Sequence, residues 1–492
     1  MHLGKLLRAA ALRHPQKTAL ICRDESISYE DLDRAVRGLA RWFLRHGLRP
    51  GDRVAIHSAN SVDAVKLLLA CFHAGLIAVP VNLRLKTAEM AYILAHSAPA
   101  MCFSQPELAP VAAAAAAECP PGIALHIRLP EVTDVDAAGE LPEFDGDRVA
   151  LILYTSGTTA RPKGVLHSHA SLLGSARTVW PTGVGENTIL MVTVPLMHAS
   201  GLSCSTLPAL LTGATTVLTP VFDACEVLDA IERHRCTWGL GLPAMMQFLT
   251  VEQERHPRNV SSLRDWVAGG DAVPVNLQER FQRYFSVPLR EGYAMSESVI
   301  IACNRADAPR PGSLGRPCEG VEVRVVDFSE NLLPHGQIGE LEVRSPGNFV
   351  GYWHDEPATA AAMRDGWIRT GDLAWRDLDG YLWFSGRRKE VIIRGGSNIS
   401  PQEVEEALYQ HPAVMEVGVI GMPDPIYSEQ VVACVSLREG HTVHPEELID
   451  FARARLADYK LPSRIVFLPA LPKGITGKVQ RRALKEMAAG VG

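Results

Sequence analysis

At 492 residues, with 47% apolar and 21% charged side chains, the chain is too long for one ordinary core and apolar enough to build at least two domains. A net charge of -6 and a pI near 6.3 exclude the basic surface that nucleic-acid binding needs. The ten cysteines are scattered, with no CxxC and no metal-type cluster, which points to free thiols in a reducing cytoplasm.

The start, MHLGKLLRAAALRHPQK, is basic and amphipathic, as a transit peptide would be. It runs directly into a strand-like TALIC, so it reads as a surface helix of the mature fold. Ser28-Tyr29-Glu30-Asp31 has the form of a capping box and opens a helix through Leu32, Val36 and Leu39. Residues 52–57 read as a strand entered from Pro50-Gly51, a helix from about Val62 ends at Gly75, and a strand follows over 76–81. The most apolar window, 67–81, contains His73, Gly75 and Pro80 and is shorter than the ~20 residues of a membrane-spanning helix, so no transmembrane segment is expected. This alternation predicts an α/β layer with a largely parallel sheet. The alanine tract 111–117 predicts a helix, and 134–147 a loop.

Residues 151–165, LILYTSGTTARPKGV, begin as a buried strand and turn into a loop made almost wholly of Ser, Thr, Gly and cations. Such a loop binds anions. Gly157 and Gly164 admit close approach of backbone N–H groups, Thr155, Ser156, Thr158 and Thr159 add hydroxyl donors, and Arg161 and Lys163 add charge. Lys163 precedes Gly164, which excludes a Walker A loop.

Ser168-His169 marks a helix start, and His167 with His169 lacks a third ligand, so the pair reads as structural rather than metal-binding. A strand over 189–194 leads into PLMHASG, with His198 at the tip of a turn. Segments 214–218, 227–234 and 236–240 repeat the β-α-β pattern. Two similar subdomains, about 1–180 and 181–311, are therefore expected, with ligands at the carboxyl ends of strands. WVAGGDAVP (266–274) is a strand with a glycine turn, followed by LREGYAMSES (289–298). From about 312 to 386, short β runs at 321–327, 340–344 and 381–385 predict a small, mostly antiparallel barrel.

A break at Gly386-Arg387-Arg388-Lys389-Glu390 precedes Ser400-Pro401-Gln402-Glu403, an N-cap serine followed by proline at the first helical position. Strands at 414–420 and 430–437, a helix at 445–456 and a strand at 464–468 complete a compact α+β domain over 387–492. The predicted fold is α/β: a large domain (1–386) of two α/β subdomains and a small β-barrel, followed by a small mobile α+β domain.

In order along nearly the whole chain, the polar clusters resemble signatures of the adenylate-forming (AMP-binding) superfamily, nearest to its carboxylate:CoA ligases, the acyl-CoA synthetases. The 151–165 stretch resembles YTSGTTGxPKG, with Ala160 in place of the third glycine. Gly269-Gly270-Asp271 resembles the turn bordering adenine and the acyl pocket, and Tyr293-Ala294-Met295-Ser296-Glu297 resembles YGxTE. By that resemblance Tyr293 stacks on adenine, Ser296 contacts the α-phosphate and Glu297 holds Mg2+. Trp367-Ile368-Arg369-Thr370-Gly371-Asp372 resembles the RTGD element, whose aspartate takes the ribose hydroxyls, with Arg387 near ribose and phosphate and Lys389 at the domain hinge. Gly395-Gly396-Ser397-Asn398-Ile399 resembles the GGxNI loop along the thiol route, and 472–478, PKGITGK, resembles the loop with the catalytic lysine, here Lys478. Alone, Glu297 reads as a surface charge and Asp372 as a turn former; their common order carries the argument.

The implied reaction makes chemical sense of these parts. A carboxylate repels nucleophiles and has no good leaving group, so joining it to the α-phosphate of ATP creates a mixed anhydride that releases AMP. Positioning and cations supply most of that catalysis. Lys478 would bridge carboxylate and phosphate, and a turn about Lys389 would exchange the Lys478 loop for the Gly395 loop before CoA attacks. ATP, Mg2+ and CoA are the implied cofactors and co-substrates; a homodimer is left open.

By the same resemblance, amino-acid-activating relatives carry an aspartate in this part of the chain to pair with the substrate amine; PLMHASG has none, which implies an acid without an α-amino group. His198, Ala199, Trp238, Gly269, Ala294 and Val299 are the candidate walls of the acyl pocket. Ala294 adds one methyl to the family's usual glycine and narrows the channel without closing it, which suits a medium-chain, branched or aromatic acid. Ser428 replaces a glycine common in the family's small-domain turn. Two alternatives stand: an acyl-AMP ligase serving a carrier protein or an amine, and an inactive nucleotide-binding sensor.

Overall fold

The computed structural model describes residues 2–120, 122–131, 140–155, 161–179, 183–271, 273–305, 307–388, 390–394, 397–474 and 479–490. Two large mixed sheets form the body of the chain. One has seven strands and includes Arg53–His57, Ile77–Val81, Val149–Thr155 and Lys163–Ser168; the other has nine and includes Ile189–Val192, Trp238–Gly241, Asp265–Gly269 and Leu289–Tyr293. Ile77–Val81 runs parallel to Arg53–His57 in the first, and Trp238–Gly241, Asp265–Gly269 and Leu289–Tyr293 run parallel in the second; Ile77–Val81 and Trp238–Gly241 are buried throughout, as expected for sheets covered by helices on both faces.

The local signals act as predicted. Ser28 Oγ accepts the Asp31 N–H at 3.1 Å and opens the helix Tyr29–Arg45. Ser61 caps Val62–Ala74 in the same way, and Gly75 ends that helix at φ +70°, where a Cβ would lie only 3.0 Å from the Phe144 ring. The basic N-terminal segment forms the helix Leu3–Arg13, with Leu3, Leu7, Ala10 and Ala11 buried against the core.

The division near residue 180 is crossed twice. The hairpin Thr18–Cys22 and Glu25–Ser28 joins the nine-stranded sheet, with Leu20 opposite Thr216, because its buried face completes that sheet's core. The short strand Gly351–Tyr352 joins the other sheet, antiparallel to Lys163–Ser168. The stretch expected to form the barrel carries a five-stranded antiparallel sheet built on Glu322–Val326, Gly339–Arg344, Trp367–Arg376 and Leu382–Arg387.

The C-terminal domain packs the helices Pro401–Tyr409, Pro445–Arg453 and Arg481–Ala489 on a sheet centred on Ser428–Leu437. Ser400 occupies the N-cap position of its first helix, but its hydroxyl makes no cap bond; among the described residues it is buried without a partner, about where a Cβ on Gly386 would meet it at 3.0 Å. Arg388 ties the two domains together. Its guanidinium binds Glu340 Oε2 at 2.7 Å and its backbone N–H donates to the Gly371 carbonyl at 2.9 Å. No helix among the described residues is long and apolar enough to cross a membrane.

Candidate active site

A cleft of about 1480 Å³ lies where the parallel strands of the nine-stranded sheet end. The large domain lines it with Gly270, Asp271, Tyr293 to Glu297, Asp372 and Arg387; the small domain adds Glu405, Glu416, Lys473 and Arg481. The two glycine turns adjoin because Gly269 is in register with Gly292, and a Cβ on Gly269 would lie 2.3 Å from the Gly292 carbonyl oxygen. Only glycine fits there. Gly270 continues at φ +87°, the left-handed region, and turns Asp271 to the rim of the cleft.

At one end, Tyr293, Asp372 and Arg387 form a single network. Asp372 and Arg387 are cross-strand neighbours on the antiparallel sheet, with Arg387 Nε 3.3 Å from Asp372 Oδ1. The Tyr293 hydroxyl donates to Asp372 Oδ2 at 2.6 Å. Burial, and then the Asp372 charge, push the Tyr293 hydroxyl well above its ordinary pKa, so it remains a donor. Burial works against the Arg387 charge, but Asp372 and Glu390 outweigh it and raise its pKa. Nearby, burial pushes the Glu291 carboxyl in the cleft wall well above its ordinary pKa.

At the other end, Lys163 and Glu297 approach each other through Tyr352. The Tyr352 hydroxyl donates to Glu297 Oε1 at 2.8 Å, and the Lys163 ammonium lies 4.9 Å from the centre of the same ring and 3.9 Å from Asp355 Oδ2. Burial, with Glu297 adding to it, raises the Tyr352 pKa beyond ordinary pH. Below this, the buried His167 bonds through Nε2 to the Ser296 carbonyl at 2.7 Å. Burial pushes His167 down to about 4, so it is neutral; a carbonyl only accepts, so Nε2 carries the proton. His167 thus fixes the turn that presents Ser296 and Glu297. Its expected partner His169 is buried in an aromatic cluster with neither ring nitrogen bonded, and no metal-ligand group occurs among the described residues.

His198 lies in the wall near Met197, Leu242 and Ala294. Its Nδ1 accepts the Ser200 N–H at 3.3 Å and lies 2.8 Å from Ser200 Oγ, capping the short helix Ala199–Gly201. The remaining proton is then on Nε2, a donor. Of the other expected pocket walls, Ala294 lines the cleft, whereas Ala199, Trp238 and Val299 are packed in the core beneath it and Gly269 lies under the turn. Those three do not reach the cleft because the strand Trp238–Gly241 is buried on both faces and the others point into the same core.

Thr155 lines the cleft where the anion loop departs. Ser156, Gly157, Thr158 and Thr159 of that loop, Lys389, expected at the hinge, Gly395 and Gly396, and Lys478 lie outside the described residues. Ser397 begins the strand Ser397–Ile399, which pairs with Ile392–Arg394. Lys473 and Val479, on either side of 475–478, form an antiparallel bridge and both line the cleft. Lys473 is paired with Glu416. Tyr352, Asp355 and His167 are site residues that motif reading does not supply; a tyrosine after the left-handed Gly351 is the only local mark of the first.

In chemical terms, Arg161, the Glu297 carboxylate, the paired acid Asp372 and apolar side chains such as Met197 and Leu242 line one cleft. Comparison with known proteins supplies the context. The AMP-binding enzyme family matches residues 7–353, and the AMP-binding enzyme C-terminal domain matches 403–478. A feruloyl-CoA synthase of Amycolatopsis sp is 37% identical over 97% of both chains. An indoleacetate–CoA ligase of Aromatoleum aromaticum is 35% identical over 99% of this chain and 98% of its own. The crystal structure of the anthranilate CoA ligase AuaEII with anthranoyl-AMP superposes with a TM-score of 0.92 at 28% identity, covering 100% of this chain and 98% of that one.

Proposed function

Since the chain belongs to the AMP-binding enzyme family through both its large and its C-terminal domain, and is an AMP-forming acid–thiol ligase, we propose that it converts an aryl-substituted carboxylic acid to the CoA thioester. The observation that carries the choice of acid is the cleft wall, to which Met197, Leu242 and Ala294 contribute apolar side chains and His198 an imidazole. Its relatives named for ferulate and indoleacetate support an aryl group of that size, over the medium-chain or branched alternatives.

In the first half-reaction a carboxylate oxygen of the acid attacks the α-phosphorus of ATP, and the bond to pyrophosphate breaks. Tyr293 offers its ring face to the adenine. Asp372, oriented by Tyr293 and Arg387, accepts the ribose hydroxyls. The 155–164 loop with Lys163 holds the departing pyrophosphate, Ser296 contacts the α-phosphate, and Lys478 bridges the carboxylate and the α-phosphate. Glu297 fits a hard cation, because Oε1 is held by Tyr352 while Oε2 accepts nothing among the described residues. Bound there, Mg2+ would neutralise charge on the phosphates. In the second half-reaction the CoA thiolate attacks the acyl carbon and AMP leaves, after the small domain turns about Lys389 to bring 395–397 to the cleft.

The test is a panel of acids matched for carbon count, with AMP and thioester both measured. Hydroxycinnamic, arylacetic or benzoic acids are expected to exceed aliphatic acids by at least about tenfold in kcat/KM. The reverse order overturns the aryl assignment. Supplying preformed adenylate with CoA, an amine or a holo-carrier protein identifies the acceptor.

A further inference from the structure

Residues 348–355 touch both halves of the phosphate end, and the reaction as written uses none of them. On one side, the Phe349 N–H donates to the Glu297 carbonyl at 2.7 Å and Ser298 Oγ donates to Asn348 Oδ1 at 2.9 Å. On the other, the Val350 and Trp353 N–H groups donate to the carbonyls of Leu166 and Gly164, each at 2.8 Å. The segment is a strap that fastens the turn bearing Ser296 and Glu297 to the strand leaving the anion loop. Gly351, at φ +147°, bends it so that the Thr359 Oγ1 accepts the Tyr352 N–H at 2.9 Å.

One side chain of this strap meets both charged groups. Tyr352 holds Glu297 through its hydroxyl and Lys163 through its ring face, and no ion pair joins Lys163 to Glu297 among the described residues. An ammonium and a carboxylate that both touch one side chain would attract each other if nothing lay between them. With the phenol between them, Glu297 Oε1 is held by a neutral donor, and the Lys163 ammonium lies over the ring with Asp355, not Glu297, as its ion-pair partner.

The geometry points to Tyr352 as a positioning residue of the proposed adenylation site, orienting Glu297 toward the nucleotide's metal ion and seating Lys163 toward its phosphates. The inference rests on the adenylation reading and adds to it how the two charges are kept apart.

Tyr352→Phe removes the hydroxyl and keeps the ring; Tyr352→Leu removes both. Mn2+ binding in the presence of α,β-methylene-ATP, followed by electron paramagnetic resonance, should weaken about tenfold in Tyr352→Phe, the range for a lost hydrogen bond to a charged group. The KM for ATP at saturating metal should stay within about twofold of wild type in that variant and rise at least about threefold in Tyr352→Leu, as the seat of Lys163 is lost. In a Glu297→Gln background, Tyr352→Phe should cause no further loss of metal affinity. Wild-type Mn2+ affinity in Tyr352→Phe, or an undiminished loss in the Glu297→Gln background, overturns the assignment. If Tyr352→Leu does not fold, the Phe variant still decides. Wild-type protein that exchanges no pyrophosphate with any acid would sink the adenylation reading, while the Mn2+ titration would still report on Tyr352.

Discussion

The two ends of the cleft are built on different principles. At the ribose end, Asp372 and Arg387 face each other across neighbouring strands of one sheet, and only Tyr293 comes from elsewhere. At the phosphate end, Lys163, Glu297 and Asp355 come from three distant segments and meet around Tyr352, supported from below by His167. The first is a rigid ledge made by strand pairing. The second is an assembly whose geometry depends on a strap and on a loop that must accommodate a leaving group. The difference suggests that one end sets where the nucleotide binds and the other sets how fast it reacts.

Lys478→Ala breaks the comparison most severely, because it removes from the phosphate end the one cation assigned to the reacting centre. Adenylate formation should fall by at least about a hundredfold, in the range seen for lost transition-state charge stabilisation. Thioester formation from supplied acyl-AMP should remain within about threefold of wild type. Equal loss in both half-reactions, measured by pyrophosphate exchange and by thioester yield, would remove Lys478 from the role proposed here.

Acid sharpens the comparison, since the support under the phosphate end is a buried neutral imidazole. His167 is held down to about 4 by burial, against an ordinary value of 6.5. Between those values the unfolded chain binds the proton and the folded chain does not, so stability is complete above about pH 6.5 and declines as pH falls toward 4. For a fully buried group this amounts to about 3 kcal/mol at the low end. His57, also held at about 4 by burial, adds to the same window. The expected outcome is a melting temperature that drops steeply below pH 6, with a shallower drop in His167→Gln, whose amide can still donate to the Ser296 carbonyl. Parallel profiles for the two proteins would show that His167 does not titrate with unfolding.

Asp372→Ala and Glu297→Gln test the two ends against each other. Removing Asp372 strands the buried Tyr293 hydroxyl and Arg387, so the melting temperature should fall and the KM for ATP should rise about thirtyfold, from hydrogen bonds to a charged group of ~2 kcal/mol. Glu297→Gln should reduce kcat while leaving the melting temperature within about 1 °C, because Glu297 is half-buried and its side-chain bond from Tyr352 survives in the amide. Equal effects on melting in both variants would erase the distinction between ledge and assembly.

The same distinction explains what was legible in the sequence. Gly269-Gly270-Asp271, Tyr293 to Glu297 and Thr370 to Asp372 are short runs in which a strand ends and its functional groups follow within a few residues, so local pattern finds them. Tyr352 acts on Glu297, 55 residues away in the chain, through strap pairing that no local period encodes. Trp238 looks like a pocket wall because it is aromatic and near the end of a strand. Its strand is buried on both faces, however, and in such a strand alternation cannot tell which side chain faces the cleft. The hairpin 18–28 likewise pairs with residues 216–218, a non-local choice made by sheet completion rather than by its own residues.

The smallest predicted effect concerns the joint on which any movement of the small domain depends. Replacing an N-cap serine by alanine ordinarily costs about 1 kcal/mol, because an exposed helix N–H loses its acceptor. At Ser400 that bond is absent, and among the described residues the hydroxyl is buried without a partner against Gly386, which itself holds φ +112° near the end of the strand Leu382–Arg387. Ser400→Ala therefore deletes an unsatisfied polar group instead of a cap, and the two contributions leave a net change of about zero or a slight gain. The melting temperature should stay within about 2 °C of wild type or rise. A loss of several degrees would mean that the hydroxyl caps Pro401–Tyr409 in solution. The strand end at Gly386 would then be moving away from the helix, and the ledge at Asp372 and Arg387 would be coupled to domain rotation through it.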